Sequence, residues 1–146
     1  MKLTDIQDMW KEDSKIDETN LGRESIRTPL LHSKYINLLA NSKLAVRKAE
    51  SEYLMLRRIK YRYYRGELTA IELQSLQWEQ WQGVKPIKNE MDEFLQTDAD
   101  LIKSQDKVEY LKTITYQLES IIKSLGSRTW DIKGGIEWTK FTNGMI

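Results

Sequence analysis

The longest regular pattern in the chain is a stripe of positions that alternate spacings of four and three. Tyr35, Leu39, Ser42, Val46, Ala49, Tyr53, Leu56, Lys60 and Tyr63 all follow it. That is the a/d seam of an α-helix with a heptad-like repeat. Thr28-Pro29 offers a start, because Thr caps helix N-termini and Pro is tolerated in the first turn. No further Gly or Pro occurs before Gly66. The pattern predicts a helix of about 37 residues over 28–66, roughly 55 Å long. A second stripe of Leu101, Val108, Leu111, Thr115, Leu118, Ile122 and Leu125 predicts another long helix over about 98–125. Gly126 is expected to break or bend it. Trp130, Ile132, Ile136 and Trp138 add an apolar tail around Gly134-Gly135. Helices this long need partners, in the same chain or in other chains.

The shorter elements carry their own punctuation. Thr4 and Gln7 have capping-box spacing and open an amphipathic helix over 5–14. Residues 16–27 lack a clear period and read as a linker or arm. Thr69 and Glu72 form a second capping box, ahead of Ile71, Leu73, Leu76, Trp78 and Trp81 on a predicted helix that Gly83 and Pro86 end. Ile87, Met91, Phe94 and Leu95 suit a short helix, and Thr97 with Asp100 resembles another capping pair. Strand alternation is not convincing anywhere. The expectation is an all-α chain forming a single helical domain, residues 1–146. Its parts are an N-terminal helix and arm (1–27), a long basic helix (28–66), short helices (67–97) and C-terminal helices (98–146).

Composition narrows the chemistry. The 146 residues include no Cys and one His, His32. Disulfides, thiolate nucleophiles and Cys-based zinc sites are therefore excluded, and His32 alone provides no metal cluster. No apolar run is long enough to span a bilayer, and the acidic start of the chain, without an apolar stretch, does not read as a signal peptide. There is no phosphate-binding glycine loop. The carboxylates near 90–100 (Asp92 and Glu93, or Asp98 and Asp100) could hold a hard metal, although capping and solubility explain them better.

The net charge of +1 hides an uneven distribution. Residues 25–65 hold ten Lys/Arg against two Asp/Glu, whereas residues 66–110 hold four against ten. The basic block ends in Arg57-Arg58-Ile59-Lys60-Tyr61-Arg62-Tyr63-Tyr64-Arg65-Gly66. On a helical wheel Lys43, Arg47, Arg58, Tyr61, Arg62 and Arg65 fall within about 100° of one another. Arginines neutralise phosphates and tyrosine rings stack on unpaired bases, so the stripe suits single-stranded nucleic acid read without sequence preference. A solvated basic face beside an acidic block would give the same pattern. Lys60 is the odd residue, since it occupies a seam position. It fits best if apolar packing ends near Leu56 and the last two turns face a polar ligand.

The order of several short motifs resembles a known family. Leu3-Thr4-Asp5-Ile6-Gln7 with Trp10, Ser14-Lys15-Ile16-Asp17, Leu31-His32-Ser33-Lys34-Tyr35 and Tyr63-Tyr64-Arg65-Gly66 fall where that family places similar segments. So do Asp98-Ala99-Asp100 and Ile132-Lys133 with Ile136 to Phe141. Together they resemble the UvsY family of recombination mediators of T4-like bacteriophages, with Arg65 in place of the family's Ser. The middle, about 67–90, is weakly matched.

The resemblance implies a non-enzymatic protein without cofactor, working in the cytoplasm of the infected bacterial host and not at a membrane. It implies single-stranded DNA, the UvsX recombinase and the phage single-strand DNA-binding protein as partners. It also implies a ring-like homo-oligomer of six or seven subunits. The family's basic pair falls on Arg58 and Lys60, within a candidate DNA surface of Arg47, Arg57, Arg58, Lys60, Tyr61, Arg62, Tyr64 and Arg65. The assembly segment corresponds to about 111–141. Leu111, Leu118, Ile122, Leu125, Trp130, Ile136 and Trp138 are its candidate contacts. Two other classes remain open on the residues alone: a helical scaffold or adaptor without DNA binding, and a small nuclease using the 90–100 carboxylates.

Overall fold

The computed structural model describes residues 1–144. Among them it contains five helices and no strand, the all-α class expected. They are α1 (Leu3–Asp13), α2 (Leu21–Tyr64), α3 (Ala70–Leu76), α4 (Lys88–Gln96) and α5 (Ala99–Thr142). The residues group into two compact units. The first comprises residues 1–45 and the chain from Leu111 onward; the second comprises Val46–Tyr110. Both long helices contribute to both units.

Each long helix exceeds its predicted bounds. α2 opens at Leu21, in the expected arm. The signal is Asn20, whose side-chain oxygen accepts from the Arg23 amide at 3.3 Å, as a good N-cap does. Pro29 therefore lies inside the helix, where it cannot donate to the Ser25 carbonyl. The turn before it is held from α5. The Arg128 guanidinium donates to the Thr28 hydroxyl at 3.1 Å and also pairs with the Glu24 carboxylate. At its other end α5 passes through Gly126 and Gly134-Gly135 without interruption. Glycine costs about 1 kcal/mol of propensity. Buried Leu125, Arg128 and Ile132 fix the helix by tertiary packing, which outweighs that cost.

In the first unit, Ile6 of α1, Leu31, Tyr35 and Leu39 of α2, and Ile114, Leu118, Ile121 and Leu125 of α5 form one core. Leu111 and Ile122 pack against it. The stripe residues proposed for assembly, Leu111, Leu118, Ile122 and Leu125, are thus engaged inside the chain's own unit; Leu118 is only 1% exposed. Two polar seam positions, Ser42 and Thr115, meet each other across 2.6 Å. Trp10 stacks edge-to-face on Tyr35. The Tyr35 hydroxyl donates to Asp13 at 2.8 Å, and Lys34 pairs with the same carboxylate at 2.6 Å. Burial alone would raise Asp13, but these hydrogen bonds outweigh it and hold the carboxyl below its ordinary 3.8.

The second unit's core is Tyr64, Met91, Leu95 and Leu101, with Tyr53, Leu56, Tyr63, Trp81 and Phe94 around it. The Thr69–Glu72 capping box forms as expected: the Glu72 amide donates to Thr69 Oγ1 at 3.2 Å. However, α3 stops at Leu76, so Trp78 and Trp81 lie beyond it rather than on it. Gln77 turns the chain in the left-handed region (φ 59°), and the Trp78 amide donates back to the Leu73 carbonyl. At the start of α5 the cap is Asp98, not Thr97. Its Oδ1 accepts from the Leu101 amide at 3.0 Å.

Candidate nucleic-acid interface

The basic block ends where the local chemistry dictates. Gly66 adopts φ +71°, open to glycine at no steric cost. The Gly66 amide donates to Tyr63 and the Glu67 amide to Arg62, a Schellman closure of α2. A Cβ at Gly66 would also meet the Lys85 side chain at 3.1 Å. The final turns of α2 therefore have fixed rotation, and each side chain goes to one of two sides.

One side is interior. Lys60 is 6% exposed. Its Nζ lies 3.2 Å from Asp98 Oδ2, 2.7 Å from Asp100 Oδ2 and 4.2 Å from the centroid of Trp78. The Tyr64 hydroxyl donates to Asp98 at 2.6 Å, and its ring meets Trp81 and Phe94 edge-on. Burial would raise Asp98, but the hydrogen bonds from Tyr64, the Leu101 amide and Lys60 prevail and lower it. Burial, and then the bond to Asp98, push the Tyr64 phenol up. These contacts correct the expectation that apolar packing ends near Leu56. Packing continues to Tyr64 because the segment after α3 supplies Trp78 and Trp81 and α4 supplies Phe94. Around the Lys60 Nζ, two carboxylates and an indole take the place of water.

The other side faces solvent. Arg47, Arg57, Arg58, Tyr61 and Arg65 are exposed. Among the described residues, Arg47 and Arg58 carry no ion pair. Arg57 lies 3.6 Å from Asp92, and Arg65 2.8 Å from Glu67, with its guanidinium 5.8 Å from the Tyr61 ring. Such exposed pairs are weak and exchangeable. Arg62 differs. It binds Glu72 through two hydrogen bonds, of 2.7 and 3.0 Å, tying α2 to α3. That contact, with the Thr69 amide, holds the Glu72 carboxyl below its usual 4.5. Between Arg47 and Arg58 the same surface carries exposed Leu54 and Met55, which the charge pattern alone did not single out.

The remaining sequence candidates fall elsewhere. Trp130 and Trp138 are 71% and 65% exposed on α5, and Ile136 is half-buried. The carboxylates near 90–100 are separately engaged: Asp92 with Arg57, Asp98 and Asp100 with Lys60. Among the described residues no group of three or more His, Asp or Glu could hold a metal ion. No described helix is long and apolar enough to cross a membrane.

Comparison with known proteins places the chain among proteins of recombination. The profile of the family described as recombination, repair and ssDNA binding protein UvsY matches residues 9–145. The chain belongs to the UvsY family of recombination, repair and single-stranded DNA-binding proteins. The recombination protein uvsY of Enterobacteria phage T4 is 26% identical over 133 residues, covering 91% of each chain. Two crystal structures of the bacteriophage T4 recombination mediator protein UvsY share the fold. One has a TM-score of 0.84 at 23% identity, covering 97% of this chain and 99% of the other. The second has a TM-score of 0.82 at 24% identity, covering 98% of both.

Proposed function

We propose that the chain is a recombination mediator. It binds single-stranded DNA and promotes loading of the UvsX recombinase onto strand coated by the phage single-strand DNA-binding protein. It acts without enzymatic activity of its own, in the cytoplasm of the infected bacterial host. The observation that carries the DNA assignment is the solvent-facing row of Arg47, Arg58, Tyr61 and Arg65 on one side of α2. Phosphates bind the two arginines that lack ion pairs and compete with weak carboxylate partners for Arg57 and Arg65. Tyr61, exposed beside Arg65, is the ring available to a base. Lys60 and Tyr64 act from beneath, by fixing the rotation of the last two turns, and Arg62 does so by holding α3.

A ring of six or seven copies would repeat this row, so modest contacts add through effective concentration. Trp130, Trp138 and Ile136 are the assembly contacts left at the surface of α5. A strand-exchange assay with UvsX on coated DNA tests the mediator role. The chain should relieve the inhibition imposed by the coating protein. No relief, from a protein that still binds naked oligo-dT, would leave a DNA-binding protein without mediator function.

A further inference from the structure

The second unit holds a groove that the basic row does not use. It measures about 420 Å³ and is lined by Leu56, Trp78, Asp100, Lys103, Ser104 and Lys107. Leu56 lies on the opposite side of α2 from Arg58, two residues or about 200° further round the helix. We propose that this groove takes a nucleotide of the single strand, with Trp78 as base platform and Lys103 and Lys107 as phosphate contacts. The inference rests on the family's single-stranded DNA binding and does not depend on the assignment of the arginine row.

Three observations support it. First, Trp78 is held in place by the fold itself. The left-handed turn at Gln77 carries it off α3, its ring meets Tyr63 edge-on at 5.3 Å, and Lys60 sits 4.2 Å above its centroid. A ring fixed in advance loses little freedom when a base stacks on it. Second, the charge of the lining favours an anion. It contains two lysines and one carboxylate, Asp100, which Lys60 already engages at 2.7 Å. Third, Lys103 and Lys107 stand one turn apart on α5, about 6 Å along its axis, so they can follow a backbone rather than a single charge. Lys103 has no ion pair among the described residues. Lys107 shares an exposed 3.5 Å contact with Glu52, which a phosphate can displace. Apolar wall and paired cations together fit a nucleotide better than an apolar helix from another protein.

The test uses the full chain with fluorescent oligo-dT and an abasic strand of equal length, titrated across a range of salt. Lys103→Ala/Lys107→Ala should weaken binding to both strands and lower the log–log salt slope by about 1.4, or 0.7 per contact. Trp78→Leu should weaken binding to oligo-dT about tenfold while sparing the abasic strand. Because Trp78 packs on Tyr63 and Lys60, its variant is paired with a thermal melt; the exposed lysines carry the test if it fails to fold. Wild-type affinity and slope in the lysine variant would overturn the proposal. So would a lysine variant that alters only sedimentation, since the groove would then belong to a contact between copies. Arg47→Ala/Arg58→Ala separates the two sites: loss there with an unaffected lysine variant rejects the groove and leaves the arginine row standing.

Discussion

The last turns of α2 and the last turns of α5 are both aromatic and basic, yet their rings point in opposite directions. At the end of α2, Tyr63 and Tyr64 turn inward onto Trp78, Trp81 and Phe94. At the end of α5, Trp130, Trp138 and Phe141 remain exposed, and Trp138 and Phe141 stack only on each other. The difference lies in the downstream chain. After α2 come α3, a loop with two tryptophans, and α4, so the rings find an interior and the arginines take the solvent. For α5 no such covering segment exists among the described residues. Rings covered by their own chain are core; the rings left bare are the ones the proposed assembly would use.

The largest test of this contrast is Lys60→Ala. Removing one member of a buried ion cluster leaves Asp98 without its cation and should cost about 3–5 kcal/mol in denaturant unfolding. Arg58→Ala, exposed two residues earlier on the opposite side of the helix, should leave the unfolding midpoint unchanged. Equal effects would erase the distinction between the two sides of α2. Next comes Leu118→Ala, which should cost about 3 kcal/mol as a core truncation at every protein concentration. Trp138→Ala/Phe141→Ala should leave that stability intact and shift sedimentation toward smaller species. If the two variants exchanged behaviours, the division of α5 into core and assembly residues would be reversed.

The carboxyls of Asp13 in the first unit and Asp98 in the second are both held below their ordinary 3.8. Their contribution is complete above that value and is lost as pH falls through the lower folded-state value. Thermal melts should therefore be flat above about pH 5 and decline below about pH 4. Asp98→Asn should flatten that decline. A decline unchanged by the substitution would place the acid sensitivity elsewhere. The smallest effect belongs to Gln77. A non-glycine residue at φ 59° is disfavoured, so Gln77→Gly should raise stability by about 0.5–1 kcal/mol in chemical denaturation.

Much of the fold was legible because heptad spacing reports burial directly. Tyr35, Leu39, Ala49, Leu118 and Leu125 all sit where their stripes place them. The Thr69–Glu72 box was equally plain, since capping is local chemistry. The boundaries were harder. Thr28-Pro29 set the expected start of α2, although a proline held by tertiary contacts such as Arg128–Glu24 can sit within a helix. Gly126 suggested a break because local propensity says nothing of the packing of Leu125 and Arg128 beside it. At the site, the exposed arginines followed from the wheel, whereas the fate of Lys60 did not. Its partners Asp98 and Asp100 lie far along the sequence, and only the fold brings them to it. Tyr64 and Tyr61 look alike in sequence; a rotation of about 300° decides that one is core and the other surface.

In the proposed mode of binding, the exposed arginines of α2, and not its buried lysine, meet the strand. The salt dependence of oligo-dT binding by Arg47→Ala/Arg58→Ala tests it most directly. Two lost phosphate contacts should reduce the log–log slope by about 1.4 and weaken binding at low salt, with the fold unchanged by circular dichroism. A variant with wild-type affinity and slope would contradict the claim and send the strand to another surface of the molecule.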